Sequence, residues 1–201
     1  MTGSRIGVLA LQGDVREHVQ TLRSLGADAP TVRRPTELAA VDALVIPGGE
    51  STVIGRLSRL FDLRDPIRER IREGMPVLGT CAGLIMLADR IIDGVDGQET
   101  FGGLDVVVRR NAFGRQTESF EAELDVPALP GGPVTAAFIR GPVIEEVGPR
   151  ATALASLADG RVVAVEQDAL IGISFHPEIT GETRFHARLM THAAQRAAAA
   201  R

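Results

Sequence analysis

The chain has 201 residues, 44% hydrophobic and 24% charged, a profile that predicts one ordinary globular domain over residues 1–201 and excludes a mainly disordered chain. A formal net charge of −4 and a pI near 5.6 exclude the basic footprint of a protein that binds nucleic acid or an anionic membrane. No apolar run approaches the roughly 20 residues of a membrane span, residues 6–11 are too short for a signal-peptide core, and a lone cysteine, Cys81, fits a reducing cytoplasm.

In chain order, the apolar run 6–11 predicts a strand buried on both faces. Gly13 breaks it and Asp14 can cap a helix whose Val15, Val19, Leu22 and Leu25 share a face, ending at Gly26. Residues 41–46 predict a second buried strand, closed by Pro47-Gly48-Gly49. Ser51 can cap the next helix, which carries Val53, Ile54, Leu57 and Leu60. A charged amphipathic segment over 65–73 stops at Gly74, residues 76–80 predict a third strand, and 82–92 read as helix. Strand–helix alternation with short turns predicts a parallel sheet with helices on both faces. From about Leu104 the rhythm changes to strands at 106–108, 119–124, 134–139, 151–157, 161–166 and 170–175, before a closing helix at 184–200. This half predicts a mixed extension of the same sheet.

All 22 basic residues are arginine. Without lysine there is no P-loop ATP site and no internal Schiff base. Trp and Tyr are absent too, which removes most stacking platforms for single-stranded nucleic acid.

The strongest chemical signal is Gly79-Thr80-Cys81-Ala82-Gly83, at the junction of a buried strand and a helix. It is the thiol counterpart of the G-x-S-x-G nucleophile elbow: small flanking residues permit a sharp turn that lifts the sulfur above the sheet. The helix N-terminus that follows favours the thiolate. A lone cysteine is more often an inert core residue, and the elbow spacing argues against that here.

A thiolate needs a base, and the base an orienting group. His18, His186 and His192 fall on charged helices and read as solvated or capping residues. The fourth histidine lies in Phe175-His176-Pro177-Glu178, past the carboxyl end of a buried strand, where open α/β sheets form their sites. Pro177 is expected to hold His176 extended and to block a helix, so that His176 and Glu178 point the same way and hydrogen-bond. Cys81, His176 and Glu178 then read as a triad. Pro47-Gly48-Gly49-Glu50-Ser51-Thr52 offers backbone N–H groups that, with Ala82, can form an oxyanion hole. The dispersed histidines give no legible metal site.

With these blocks in place, the chain resembles the class I, triad-type glutamine amidotransferases. Leu11-Gln12-Gly13-Asp14, Arg16-Glu17-His18, the R-N-x-F-G-R-Q run at 110–116, Ser119-Phe120-Glu121 and Phe138-Ile139-Arg140 extend the resemblance to glutaminase subunits of pyridoxal 5′-phosphate synthases, over essentially the whole chain. The resemblance implies a flavodoxin-like, three-layer α/β fold, its largely parallel sheet flanked by helices and carrying a mixed or antiparallel extension. It implies Cys81 as nucleophile, His176 as base and then acid, and Glu178 as its orienter. Glutamine would be held by Gly49, Glu50, Ser51, Arg110, Ile139 and Arg140, and the oxyanion by Gly49 and Ala82. It further implies no cofactor, a barrel-type synthase partner taking up the ammonia, an assembly of twelve copies of each subunit, and a cytoplasmic location. Gly141 departs from the alanine more common there. A glutaminase serving another synthase, or a non-catalytic domain that only binds a partner, are the alternatives. The R-N-x-F-G-R-Q run argues against the first and the intact triad against the second.

Overall fold

The computed structural model describes residues 4–110 and 119–199. The first part runs β1 (Ile6–Leu9), α1 (Val15–Ser24), β2 (Thr31–Val32), α2 (Pro35–Ala39), β3 (Ala43–Ile46), α3 (Ser51–Leu60), α4 (Arg64–Arg72), β4 (Val77–Thr80), α5 (Ala82–Leu87), β5 (Ala88–Ile92) and β6 (Leu104–Arg109). The second runs β7 (Phe120–Leu124), β8 (Val134–Phe138), β9 (Val143–Val147), β10 (Thr152–Ser156), β11 (Val162–Gln167), β12 (Leu170–Ile173), α6 (Pro177–Thr180) and α7 (Arg184–Ala199).

Among the described residues, the main sheet has the order β2-β1-β3-β4-β12-β11-β9-β6-β5, with β10 beside β11. The five strands from β2 to β12 pair in parallel, whereas β12–β11, β11–β9, β9–β6 and β11–β10 are antiparallel. The parallel sheet and its mixed extension are as the sequence implies, and β7 and β8 form a separate hairpin.

Alternation along each buried strand divides the core. Ala43 and Val45 join one cluster, with Val19 and Leu22 of α1, Phe185 and Leu189 of α7, and Phe138 of β8. Leu44 and Ile46 point the other way, into a cluster with Leu38 of α2, Ile54 of α3, Ile67 of α4 and Leu84 of α5. Both faces are therefore covered, which is why strands such as β1, β3 and β4 read as unbroken apolar runs.

Several expectations are corrected. The run 82–92 is not one helix: α5 stops at Leu87, Ala88 turns extended at ψ 138°, and 88–92 pair in parallel with β6. Residues 82–88 are uniformly apolar or glycine, and Asp89-Arg90 suits an exposed helix face as well as an exposed edge strand, so periodicity does not reveal the change. β2, α2 and β9 were not anticipated: β2 has two residues, but α2 carries a legible start, Pro35 at its first turn and Glu37 accepting from the Arg34 N–H at 3.1 Å. α3 is capped by Glu50 rather than Ser51, the Glu50 side chain accepting from the Thr52 N–H.

Two features of this packing are testable. Gly83 lies where α5 crosses β3, and a Cβ there would overlap the Ile46 carbonyl. Gly83→Ala is expected to lower the unfolding free energy by about 3 kcal/mol, measured by urea denaturation. On the opposite face, Glu166 of β11 accepts from Arg188 Nε (2.8 Å) and His192 Nε2 (2.7 Å) of α7. Burial opposes the carboxylate, but these partners outweigh it and hold the pKa below its usual 4.5. A depressed folded-state pKa contributes stability above the unfolded value that is lost as pH falls through the folded one. Glu166→Gln is thus expected to cost about 1 kcal/mol at pH 7, with the deficit vanishing in urea titrations below that range.

Candidate active site

Because β1, β3, β4 and β12 are neighbours and parallel, their carboxyl ends open on one edge of the sheet. The segments leaving that edge carry Gln12 and Asp14, Gly49 and Glu50, Cys81, and His176 and Glu178. A cavity of about 280 Å³ there is lined by Asp14, Gly49, Glu50, Cys81, Ile139, Arg140, His176 and Ile179.

Cys81 occupies the turn between β4 and α5 with φ 48° and ψ −102°, a conformation that non-glycine residues avoid. Its N–H donates to Ile173 O at 2.8 Å, and its carbonyl accepts from Ile85 N–H, so the turn is held at both ends. His176 follows β12 and is likewise fixed through its backbone, its N–H donating to Ala137 O at 2.9 Å.

His176 Nδ1 donates to Glu178 Oε1 at 2.8 Å. The pairing is as anticipated, but its local cause differs. Pro177 does not prevent a helix; it starts one, at the position where its fixed φ is preorganised and its missing N–H costs nothing, and Glu178 lies in that first turn. Glu178 has no exposed side-chain surface. Asp14 Oδ2 lies 3.4 Å from the same Nδ1. Burial works against charge on His176, yet hydrogen bonds with Asp14, Cys81 and Glu178 and the attraction of charge on Cys81 prevail, raising its pKa from 6.5 to about 12. The imidazole is therefore held as an imidazolium beside the sulfur.

The loop after β3 approaches this group closely. Gly49 sits at φ 147°, and a Cβ there would collide with the Gln12 side chain, whose Oε1 accepts from Glu50 N–H at 2.6 Å. Ser51 is buried, its hydroxyl accepting from Gln98 Nε2 at 3.0 Å, and it does not line the cavity. Arg110, only 8% exposed, stands behind Glu50: Nη2 donates to Glu50 Oε1 at 3.0 Å and Nη1 to Gln98 Oε1 at 2.8 Å. Ala82 opens α5, where the first-turn N–H groups have no partner within the helix. Ile139 and Arg140 line the cavity, the latter at φ 49°. Asn111 to Gln116 of the R-N-x-F-G-R-Q run lie outside the described residues.

The geometry adds residues that the sequence did not single out for the site: Gln12, Asp14, Gln98, His18 and His186. The last two are not solvated; both side chains are fully buried beneath Glu178. Their signal was present, since His18 shares a helical face with Val15, Val19 and Leu22, and His186 one with Leu189 and Ala193. His192 is the third correction, half-buried and paired with Glu166. Among the described residues, Asp14, His176 and Glu178 are close enough to share a metal ion, but the Nδ1 they would offer is already engaged by Glu178.

A thiol on a strained strand-to-helix turn, beside a carboxylate-bound imidazole at the carboxyl edge of a parallel sheet, is the arrangement that nucleophilic catalysis by a cysteine requires. The model of the SNO glutamine amidotransferase family matches residues 8–195, and the chain belongs to that family. It is 63% identical to the pyridoxal 5′-phosphate synthase subunit PdxT of Leifsonia xyli subsp. xyli (strain CTCB07) over 187 residues, 92% of this chain and 94% of the relative. Against the subunit PdxT of Streptomyces coelicolor (strain ATCC BAA-471 / A3(2) / M145), identity is 60% over 181 residues, covering 90% and 89%. A crystal structure described as a glutamine amidotransferase superposes with a TM-score of 0.87 at 45% identity, covering 94% of this chain and 98% of that one.

The charge on His176 can be checked directly. In ¹⁵N-histidine spectra of the full chain, His176 is expected to stay protonated on both nitrogens from about pH 6 to 9, against an unperturbed pKa near 6.5. Asp14→Asn, which removes one of the partners favouring the charge, is expected to move that titration downward.

Proposed function

We propose that this chain is the glutaminase subunit of a pyridoxal 5′-phosphate synthase, hydrolysing L-glutamine to L-glutamate and ammonia and passing the ammonia to a synthase subunit. The observation that carries the chemistry is the strained Cys81 beside an imidazolium held by Glu178; the two subunits PdxT, at 63% and 60% identity, support the synthase it serves.

Cys81 is the nucleophile in this reading, with its proton resident on His176. The sulfur attacks the side-chain amide carbon of glutamine, and the oxyanion is met by the N–H groups of Gly49 and Ala82. Collapse breaks the C–N bond, the leaving nitrogen takes the His176 proton, and ammonia departs from a γ-glutamyl thioester. Water then attacks the thioester while His176 accepts its proton. Glutamate leaves, and thiolate and imidazolium are restored.

Of the charged groups lining the cavity, Glu50 and Arg140 are assigned to the amino-acid end of glutamine, Arg140 suited to the α-carboxylate. Gly49 and Ile139, with Ile179, supply uncharged parts of the wall. Arg110 and Ser51 are assigned an indirect share in glutamine binding, through Glu50 and through Gln98. Residues 1–201 act as one glutaminase domain.

Ammonia released into neutral water is protonated and lost as a nucleophile, which is the chemical reason for a partner that receives it directly. The family resemblance extends this to a barrel-type synthase, twelve copies of each subunit and a cytoplasmic location. Net charge and pI favour neither nucleic acid nor membrane as a partner, and no helix among the described residues is long and apolar enough to cross a membrane.

Reconstitution with a candidate synthase tests the reading. Glutamate release by the pair is expected to fall by at least about 1,000-fold in Cys81→Ala. Undiminished turnover by that variant would remove Cys81 as the nucleophile.

A further inference from the structure

Beneath the His176–Glu178 pair lies a second pair of imidazoles that the reaction above does not use. His18 from α1 and His186 from α7 are both fully buried, with His18 Nδ1 2.8 Å from His186 Nε2. His18 Nε2 faces Thr80 Oγ1 at 3.2 Å and Glu178 Oε2 at 3.5 Å. Among the described residues, that carboxylate oxygen has no conventional hydrogen bond, and neither has His186 Nδ1. A buried carboxylate with one oxygen unserved is costly, so the proton on His18 matters.

Two neutral arrangements are possible. If His18 carried its proton on Nδ1, it would donate to His186, and its Nε2 lone pair would face the Glu178 lone pairs. His186 would then hold its proton on Nδ1, a buried donor with no acceptor. If His186 donates from Nε2 instead, His18 Nδ1 accepts and His18 Nε2 carries an N–H toward both Thr80 and Glu178. The only orphan left is a lone pair on His186 Nδ1, less costly than an unpaired buried N–H.

We propose that His18 and His186 are positioning residues for Glu178: His186 fixes the His18 tautomer, and His18 presents an N–H to the carboxylate oxygen that His176 leaves free. The inference rests on Glu178 orienting His176, as read above. Burial, first, and then the nearby imidazoles His186 and His176, push the His18 pKa well below 6.5. Burial likewise lowers that of His186 to about 4, against an opposing pull from Glu182. The groups facing His18 are thus His186 from α7, Thr80 from β4, and Glu178 with His176 from the β12–α6 segment. Both rings stay neutral at working pH, which the tautomer relay requires. The charge remains on His176, on the far side of the carboxylate.

Long-range ¹H–¹⁵N spectra of the full, histidine-labelled chain are the primary test, because they need no substitution. The expected result is the Nε2–H tautomer for both His18 and His186, unchanged from about pH 6 to 9. A proton on His18 Nδ1, or a charged His18, would overturn the proposal. Activity of the chain with its synthase supplies a second readout. His18→Leu is expected to lower kcat on the order of 10-fold, with KM for glutamine within about 2-fold. In His18→Gln the amide NH₂ reaches the place of imidazole Nε2, so kcat is expected to exceed that of His18→Leu by nearly the same factor. Equal kcat in the two folded variants would also overturn it. If His18→Leu does not fold, the spectrum decides. Should Cys81→Ala remain active, the underlying reading of the site fails; should it be inactive while His18 bears the wrong tautomer, only this inference does.

Discussion

The structure turns on the parallel pairing of β4 with β12. Its register sets Thr80 opposite Ile173, and the ladder continues one residue further, the Cys81 N–H donating to the Ile173 carbonyl at 2.8 Å. Cys81 and His176 are distant in sequence, and neither turn alone would define their separation. The ladder does so with backbone groups buried on both faces, where slippage would strand hydrogen-bonding groups in the core. Gly83 then lets α5 close onto β3, setting the direction in which the Cys81 turn is made. On the other side Phe175, wedged edge-on between Phe138 and Phe185 at centroid distances of 5.6 and 5.5 Å, anchors the residue before His176 to the hairpin and to α7. Such aromatic pairs contribute about 0.5–1.5 kcal/mol each beyond area burial.

Onto this frame the protein places an unusual amount of buried polarity. Glu178, His18 and His186 are enclosed, His176 nearly so, and each taken alone would destabilise the fold. They are tolerable because most of their polar atoms find partners within the group, in an order set by the elements that supply them: α1 brings His18, α7 His186, β4 Thr80, and the β12–α6 turn His176 and Glu178. The closing helix α7 is therefore more than a lid on the sheet. It reaches the site through one imidazole and the interior strand β11 through Arg188 and Glu166, so core packing and site geometry share one helix.

How much of this was legible in the sequence follows from the same physics. Strands buried on both faces announce themselves as short apolar runs, and the motifs at their carboxyl ends fall where an open sheet builds its site. The Cys81 elbow, the Gly48-Gly49 loop and the His176–Glu178 pair were accordingly readable. What escaped depended on tertiary partners. The stretch 88–92 becomes a strand because β6 offers an edge, and nothing in Ala88-Asp89-Arg90 foretells it. Arg110 has the right chemistry for a carboxylate, but its length and burial direct it to Glu50 and Gln98. The buried histidines are hard to read because charged neighbours, Arg16 and Glu17 before His18, mask the helical spacing that puts each ring on the apolar face. Pro177 is ambiguous in the same way, because a proline signals the first turn of a helix as readily as a break.

Backbone strain follows the same division between scaffold and site. Five described non-glycine residues have positive φ: Asp62, Cys81, Asp93, Arg140 and Asp168. The three aspartates need little explanation, because a short polar side chain tolerates the left-handed region. Cys81 and Arg140 have no such excuse, and both line the cavity. Each conformation costs on the order of 1–3 kcal/mol and persists only where the surroundings over-determine it. For Cys81 those surroundings are the β4–β12 ladder and α5; for Arg140 they are β8, pinned to the site through the His176 N–H on Ala137 O. The strain is thus concentrated at the two cavity residues whose side chains must project against their backbone preference. For Cys81, the strands that hold it, β4 and β12, are buried at every residue.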